Sequence, residues 1–557
     1  MKVIYMDTRY RNKWIDGGQA LLALLLLGFV GFYINRYIRI EGLYMDDLYM
    51  WSCYGEQSFW EFAFPIGTST RFRPVYWIAT YLEMMLVRNH PGLFVPVNII
   101  LNILTAYLIY SFARRLSCGN FPVAVLAGGM YLISHFAYYQ IGQALGLLET
   151  MSLFMAILIL WLLYDFLAEG KTRQFCLANL TYFLLVFSHE RYLALFPLFY
   201  LALFFGPRRR SVGAMSSAEK RGSIFRFLLP LLLLLLIIGI RRYAIGTALP
   251  AGTGGTEVTD TFSLGQALQF SFQQVMYLFG VNIGPTYLSG ISWADFAPLY
   301  RKLVYCSWIP LGILVLSYLA LSVRNGRFSP KNREFLGKNL LFLAFIALCI
   351  GCSSITIRVE MRWIYVSYAA CLLYLSFMCG TCTDMLGRDR AEKCYRAAEG
   401  DGARKVLSLS ATREKRAYGR RLGFAAAVMF TIPWILYAGC MAPVERYDRS
   451  HYNDIYFWED QDRMNSLAEQ TVLKYGVDAV LGKQVYILEN SYGMSDFYAR
   501  TFFKVYDPEK TGQGTRIHFV DTVEDLAGLG LTKENALVLR EVPEARGYQD
   551  ITEEVLP

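Results

Sequence analysis

The stretch GGQALLALLLLGFVGFYI, Gly17–Ile34, and the segment that follows it, YMDDLYMW, Tyr44–Trp51, decide how the rest of the chain is read. The first is an apolar run with no charge inside it, near the roughly 20 residues that cross a bilayer. The second sets two adjacent carboxylates, Asp46 and Asp47, among aromatic and thioether side chains at the edge of that run. Adjacent acids repel and are costly near lipid. A hydrogen-bond partner, a cation or a proton-transfer task offsets that cost.

The same apolar pattern recurs along the chain. It has 557 residues, of which 55% are hydrophobic and 16% aromatic. The excess over a soluble domain lies in repeated long runs, which predict a polytopic all-α membrane protein. Barrel strands would alternate instead. The formal net charge of +9 sits largely in short loops between the runs. It is therefore a topology signal and gives no reason to expect a nucleic-acid partner. The cysteines lie mostly in or beside apolar runs, and read as small buried hydrophobes rather than a disulfide frame or a zinc site.

Eleven spanning helices are expected, the first at about Gly17–Ile34 and the last at about Leu422–Met441. Arg9, Arg11 and Lys13 before the first run place the N-terminus in the cytoplasm of a plasma-membrane protein. Residues 1–441 then form the membrane domain, with large outer loops at 35–93 and 241–300. Residues 442–557 form a small extracytoplasmic α/β domain, with strand-like stretches at Val485–Leu488 and Ala536–Leu539. Pro74 to about Val87 is expected as an interfacial helix, with Tyr76, Trp77 and Tyr81 at headgroup level.

On this topology the unusual polar residues fall on the outer side: Asp46, Asp47, Arg71, Arg73, His135, Gln140, Glu149, His189, Glu190, Arg191, Glu360 and Arg362. Glu190 with Arg191, and Glu360 with Arg362, also read as simple interfacial ion pairs. Together the groups suit one chemistry. A carboxylate at the water boundary acts as a general base toward a hydroxyl. Arginines hold a phosphate and stabilise it as it leaves. An apolar groove open to lipid takes a polyprenyl tail.

Several short motifs, in this order, resemble the GT-C superfamily of membrane glycosyltransferases, particularly its protein O-mannosyltransferase-like branch and the TPR-containing membrane O-mannosyltransferases. Asp46-Asp47 resembles the acidic pair of the family's first outer loop, and Arg73-Pro74-Val75 its Arg-Pro-Leu element. Asn98 and Asn102 lie in a second helix like the family's. His135 with Gln140 resembles His-Pro-x-x-x-Glu, with Phe136 for the proline and Gln140 for the acid. Ser188-His189-Glu190 resembles Ser-Lys-Glu, and Glu360–Tyr365 resembles Glu-x-Arg-x-x-Tyr. The resemblance spans roughly residues 15–380. It implies a polyprenyl-phosphate sugar donor, an extracytoplasmic acceptor and an inverting single displacement. It also implies Asp46 as base, Asp47 as its partner or a metal ligand, and Arg71, Arg73 and Arg362 on the donor phosphate. His135, Gln140, His189, Glu190 and Glu360 would support them. A divalent cation is compatible with the family, and the acidic pair of the first outer loop is Asp-Asp rather than Asp-x-Asp. The alternatives are a lipid-linked glycan transporter or flippase, which requires polar residues along a mid-membrane path, and a non-catalytic membrane scaffold.

Overall fold

In the computed structural model, the described residues are 2–36, 38, 43, 45–88, 90–134, 140–144, 146–206, 217–247, 263–281, 298–329, 332–356, 359, 363–396, 458–506 and 515–557. The helices in order are α1 (Lys2–Ile34), α2 (Met45–Glu56), α3 (Phe59–Ala63), α4 (Pro74–Val87), α5 (Phe94–Leu116), α6 (Phe121–Ile133), α7 (Gly146–Glu169) and α8 (Thr172–Val186). Then come α9 (Pro197–Phe205), α10 (Ser217–Ile245), α11 (Leu264–Leu278), α12 (Pro298–Arg324), α13 (Arg333–Ser354) and α14 (Tyr365–Arg396).

Seven of these are long and apolar enough to cross a membrane: segments of α1, α5, α7, α10, α12, α13 and α14. Their outward faces carry leucine and phenylalanine, as in Leu25, Phe29, Leu232 and Leu316, all exposed. Such faces would be unstable in water and are suited to lipid tails. The chain is a multi-pass helical membrane protein.

Three of the expected spans are shorter than a full crossing. Helix α6 has 13 residues and α8 has 15. The sixth expected span, Tyr192–Phe205, is broken: a 3₁₀ segment, Glu190–Leu195, precedes α9. Pro197 explains the break, since it removes a backbone donor where a continuous helix needs one. The eleventh expected span lies outside the described residues.

Local signals set the helix ends. Asn120 accepts the Val123 N–H and caps α6, with Pro122 in its first turn. Ser58 and Glu61 form a reciprocal capping box on α3. Small residues set helix spacing. A Cβ on Gly380 of α14 would stand 2.2 Å from the Leu116 carbonyl at the end of α5, so only glycine permits that crossing. Cys349 and Cys352 of α13, and Cys379 and Cys382 of α14, stand in Cys-x-x-Cys spacing as free thiols. Among the described residues no group of three or more His, Cys, Asp and Glu side chains is placed to hold a metal.

The C-terminal residues form a separate layer. Helices α15 (Trp458–Gln470), α16 (Val472–Tyr475) and α17 (Val477–Leu481) lead into β1 (Gln484–Leu488), α18 (Asp496–Thr501), β2 (Ile517–Val520), β3 (Ala536–Val542), β4 (Gly547–Asp550) and α19 (Thr552–Val555). The strand order is β2-β1-β3-β4, with β1 parallel to β2 and β3, and β4 antiparallel to β3. Alternation puts Val485, Ile487, Leu537 and Leu539 in one core and Leu488 and Val538 in another. The crossover between β1 and β2 rests on α2. The Trp51 indole donates to the Val505 carbonyl at 3.1 Å, Lys504 pairs with Glu56, and the Tyr49 and Phe497 rings are 6.2 Å apart.

The bounds of α4 match the expectation, and its Tyr76 and Trp77 are buried in the core. The exposed face carries Leu82, Met85 and Leu86.

Candidate active site

Successive crossing helices alternate in direction. The end of α1, the start of α5, the end of α6, the start of α7, the end of α8, the end of α10 and the start of α14 therefore meet at one end of the bundle. Helices α2 and α4 lie at that end.

Asp47 is placed there by a chain of hydrogen bonds that starts on α5. Asn98 Nδ2 donates to the Gln143 carbonyl at 2.8 Å, and Asn102 Nδ2 to the Asn98 carbonyl at 3.0 Å. The Tyr131 hydroxyl is 2.8 Å from both Asn102 Oδ1 and Gln140 Oε1. Thr150 Oγ1 donates to Gln140 Oε1 at 3.3 Å. This buried network fixes the loop of residues 140–144. Gly146 closes the loop, because a Cβ there would lie 1.9 Å from the Gln140 carbonyl oxygen. From that loop the Ala144 N–H donates to Asp47 Oδ2 at 3.0 Å. Asp47 is 8% exposed, whereas Asp46 is exposed at the start of α2. The loop thus turns Asp47 inward, and Gln140 acts on it through the backbone.

Two buried ion pairs lie beside it. Arg73, just before α4, grips Glu190 with both arms: Nε to Oε2 and Nη2 to Oε1, each 2.7 Å. Arg191 Nη2 donates to Glu149 Oε2 at 2.7 Å and to the Tyr192 hydroxyl at 3.0 Å. The Tyr365 hydroxyl bonds the same Glu149 carboxylate, and His189 Nε2 is 3.8 Å from Glu149 Oε1. The expected pairing of Glu190 with Arg191 is therefore replaced. Neighbours in sequence at the start of a 3₁₀ turn point to different partners, one toward α4 and one toward α7.

Arg73 holds Glu190 ionised. Burial works against the charge, but the guanidinium's field and its two hydrogen bonds outweigh burial and bring the carboxyl down to about 2. Glu83 of α4 goes the other way. Burial, reinforced by the charge of Asp47, pushes it up to about 8.

Arg241, at the end of α10, was not among the sequence candidates. It is 1% exposed and interacts electrostatically with both Glu190 and Arg73. Two guanidiniums therefore lie in the field of one buried carboxylate. In the sequence Arg241 reads as one half of a basic helix end with Arg242; only packing turns Arg241 in and leaves Arg242 exposed. Arg71 is half-buried two residues before Arg73. His135, Glu360 and Arg362 lie outside the described residues. Asp46 and Asp47 stand one exposed and one buried at the start of α2.

No protein-family model matches the chain, and no curated protein matches it. Among solved structures, ArnT from Cupriavidus metallidurans, bound to undecaprenyl phosphate, is similar at 11% identity and a TM-score of 0.44, over 95% of this chain and 94% of that one. The Archaeoglobus fulgidus oligosaccharyltransferase tethered to an acceptor peptide is similar at 13% identity and a TM-score of 0.44, over 92% of this chain and 64% of that one. Archaeal oligosaccharyltransferase AglB from Archaeoglobus fulgidus, with an inhibitory peptide and a dolichol-phosphate, is similar at 12% identity and a TM-score of 0.44, over 95% and 70%.

Proposed function

We propose that the chain is an inverting membrane glycosyltransferase that moves a sugar from a polyprenyl-phosphate donor to an extracytoplasmic hydroxyl acceptor. The observation that carries this reading is one juxtaposition. A carboxylate fixed by a backbone N–H, Asp47, shares one bundle end with the buried Arg73–Glu190 pair and with Arg241. The order of short motifs between Asp46 and Tyr365 agrees with it.

In this reading Asp47 takes the proton of the acceptor hydroxyl. The acceptor oxygen attacks the anomeric carbon, the carbon–oxygen bond to phosphate breaks, and the electron pair leaves with the polyprenyl phosphate. Arg241 faces that phosphate, with Arg71 and the outer Arg362 as further candidates. Arg73 acts chiefly by holding Glu190 and setting the pocket's geometry. The expectation of Asp46 as base moves to Asp47 because the inward carboxylate is the one held in place. Asp46, exposed beside it, faces the acceptor side.

The site end faces outward and the N-terminus is cytoplasmic, in keeping with the basic residues at the opposite helix ends, Arg114, Arg115, Lys171, Arg324 and Arg333. The sheet-bearing C-terminal domain is then extracytoplasmic. The test is transfer of labelled sugar from polyprenyl-phosphate donors in membranes that contain the full chain. Release of polyprenyl phosphate with sugar appearing on an acceptor supports the reading. Movement of the intact lipid-linked sugar across proteoliposomes without release of the phosphate contradicts it and favours a flippase.

A further inference from the structure

Helix α4 buries three polar side chains beneath an apolar outer face. That outer face has Leu82, Met85 and Leu86 exposed at 56%, 52% and 68%. The buried face carries Tyr76, Thr80 and Glu83, at spacings of four and three residues, among the apolar Trp77, Met84 and Val87. The three form one polar stripe within an otherwise apolar contact with the core.

The Glu83 carboxyl is the sharpest feature of that stripe. The residue is 7% exposed, and neither carboxyl oxygen has a hydrogen-bond partner among the described residues. The Tyr76 and Thr80 hydroxyls of the same stripe are also buried without a hydrogen-bond partner among the described residues. Asp47 of α2 interacts electrostatically with both Glu83 and Tyr76. Buried polar groups are almost always hydrogen-bonded, and a buried carboxyl that meets no partner costs stability. A position that carries this cost beside the proposed base has a ligand to meet.

We propose that the Tyr76–Thr80–Glu83 stripe is the acceptor-binding subsite, and that Glu83 takes two neighbouring hydroxyls of a carbohydrate acceptor on its two oxygens. This rests on the reading of the chain as a glycosyltransferase and names the acceptor class. Because burial and Asp47 raise its pKa to about 8, Glu83 keeps its proton near neutral pH. A neutral carboxyl offers one donor and one acceptor, which matches one hydroxyl that accepts and one that donates. The bound diol lies next to Asp47, which then takes the proton of the reacting hydroxyl.

The test uses the full chain in detergent and in proteoliposomes, with Glu83→Gln and Glu83→Leu. Glutamine keeps one donor and one acceptor, and leucine keeps neither. The first readout is binding: the thermal shift caused by a panel of methyl hexosides and methyl pentosides, with their fully O-methylated forms as controls. The wild type and Glu83→Gln are expected to be stabilised by at least one free glycoside and by no O-methylated form. Glu83→Leu is expected to lose that shift while its own Tm equals or exceeds the wild type's, because an unsatisfied carboxyl is gone. The second readout is transfer. Glu83→Leu should raise the acceptor KM by roughly 10-fold, with donor KM unchanged. An equal glycoside shift in Glu83→Leu, or no shift in the wild type with any glycoside, overturns the proposal. So does a donor KM that rises with the acceptor KM. A glycoside shift that depends on Glu83 in a protein that transfers no sugar supports the subsite and overturns the transferase reading, so the two claims fail separately.

Discussion

The two ends of the helical bundle use the same residues for different ends. At the end away from Asp47, Arg114 pairs with Asp16, Arg115 with Asp165 and Glu169, and Lys171 with Glu169. These pairs lie at the rim; the side chains of Arg114 and Asp16 are 18% and 66% exposed. At the Asp47 end, Arg73 and Glu190 are 6% and 5% exposed. Exposed pairs are worth at most about 1 kcal/mol, and their net positive bias sets which side faces the cytoplasm. A buried pair gains little over an apolar replacement, yet breaking one half leaves a charge stranded at about 3–5 kcal/mol. Among the described residues of the bundle, the most deeply buried ion pairs lie at the Asp47 end. That asymmetry, more than any single residue, marks the site.

The comparison breaks most sharply at Glu190. Glu190→Ala strands Arg73 in the core and is expected to cost about 3–5 kcal/mol, seen as a large drop in Tm in detergent and in folded yield. Replacing both partners by leucine should recover much of that stability but no transfer activity. Stability and activity lost together in the single variant, and both regained in the double, would make the pair purely structural.

Arg241→Lys comes next. Lysine keeps the charge and loses the planar fork. The expected result is a rise of about 10-fold in donor KM with little change in Tm. An unchanged donor KM removes Arg241 from the phosphate.

The pH dependence gives a smaller effect with a definite sign. The folded pKa of Glu190, about 2, lies below the roughly 4.3 of a free glutamate. Its contribution is therefore present above about pH 4.3 and is lost as pH falls toward 2. Thermal unfolding of the wild type should weaken on acidification more steeply than that of Glu190→Gln, which has no charge to lose. Parallel curves would contradict the ion pair.

The smallest effect belongs to the opposite end. Arg115→Gln removes a rim cation from Asp165 and Glu169 and should change stability by less than about 1 kcal/mol, with transfer unaltered. A loss comparable to that of Glu190→Ala would erase the distinction between the ends.

Much of this was legible before the structure. Hydropathy gave the positions of the seven helices long enough to cross a membrane. The Pro74 signal gave the start of α4, and β1 and β3 lay in the stretches read as strand-like. Sidedness gathered Asp47, Arg73, His189, Glu190 and Arg191 at one bundle end. What the sequence withheld depends on which way a side chain turns. Asp46 and Asp47 are adjacent, and their burial and the Ala144 N–H on Asp47 distinguish them. Glu83 sits in an apolar helix whose outer face is apolar too, so its burial follows from orientation and not from pattern. Arg241 resembles any basic residue at a helix end until α10 is packed against Glu190. Gln140, read as a replaced acid beside the chemistry, belongs instead to the scaffold that aims the loop.

The central claim is that Asp47, held inward by the loop of residues 140–144, is the base for sugar transfer. The direct measurement is the transfer rate from a polyprenyl-phosphate sugar donor in membranes for Asp47→Asn, set against Asp46→Asn, with expression and Tm followed in parallel. Asparagine keeps the size and still accepts the Ala144 hydrogen bond, but takes no proton. Asp47→Asn is expected to lose about 10²–10⁴-fold in rate at near-normal Tm, and Asp46→Asn far less. Full transfer by Asp47→Asn, or a loss confined to Asp46→Asn, contradicts the account.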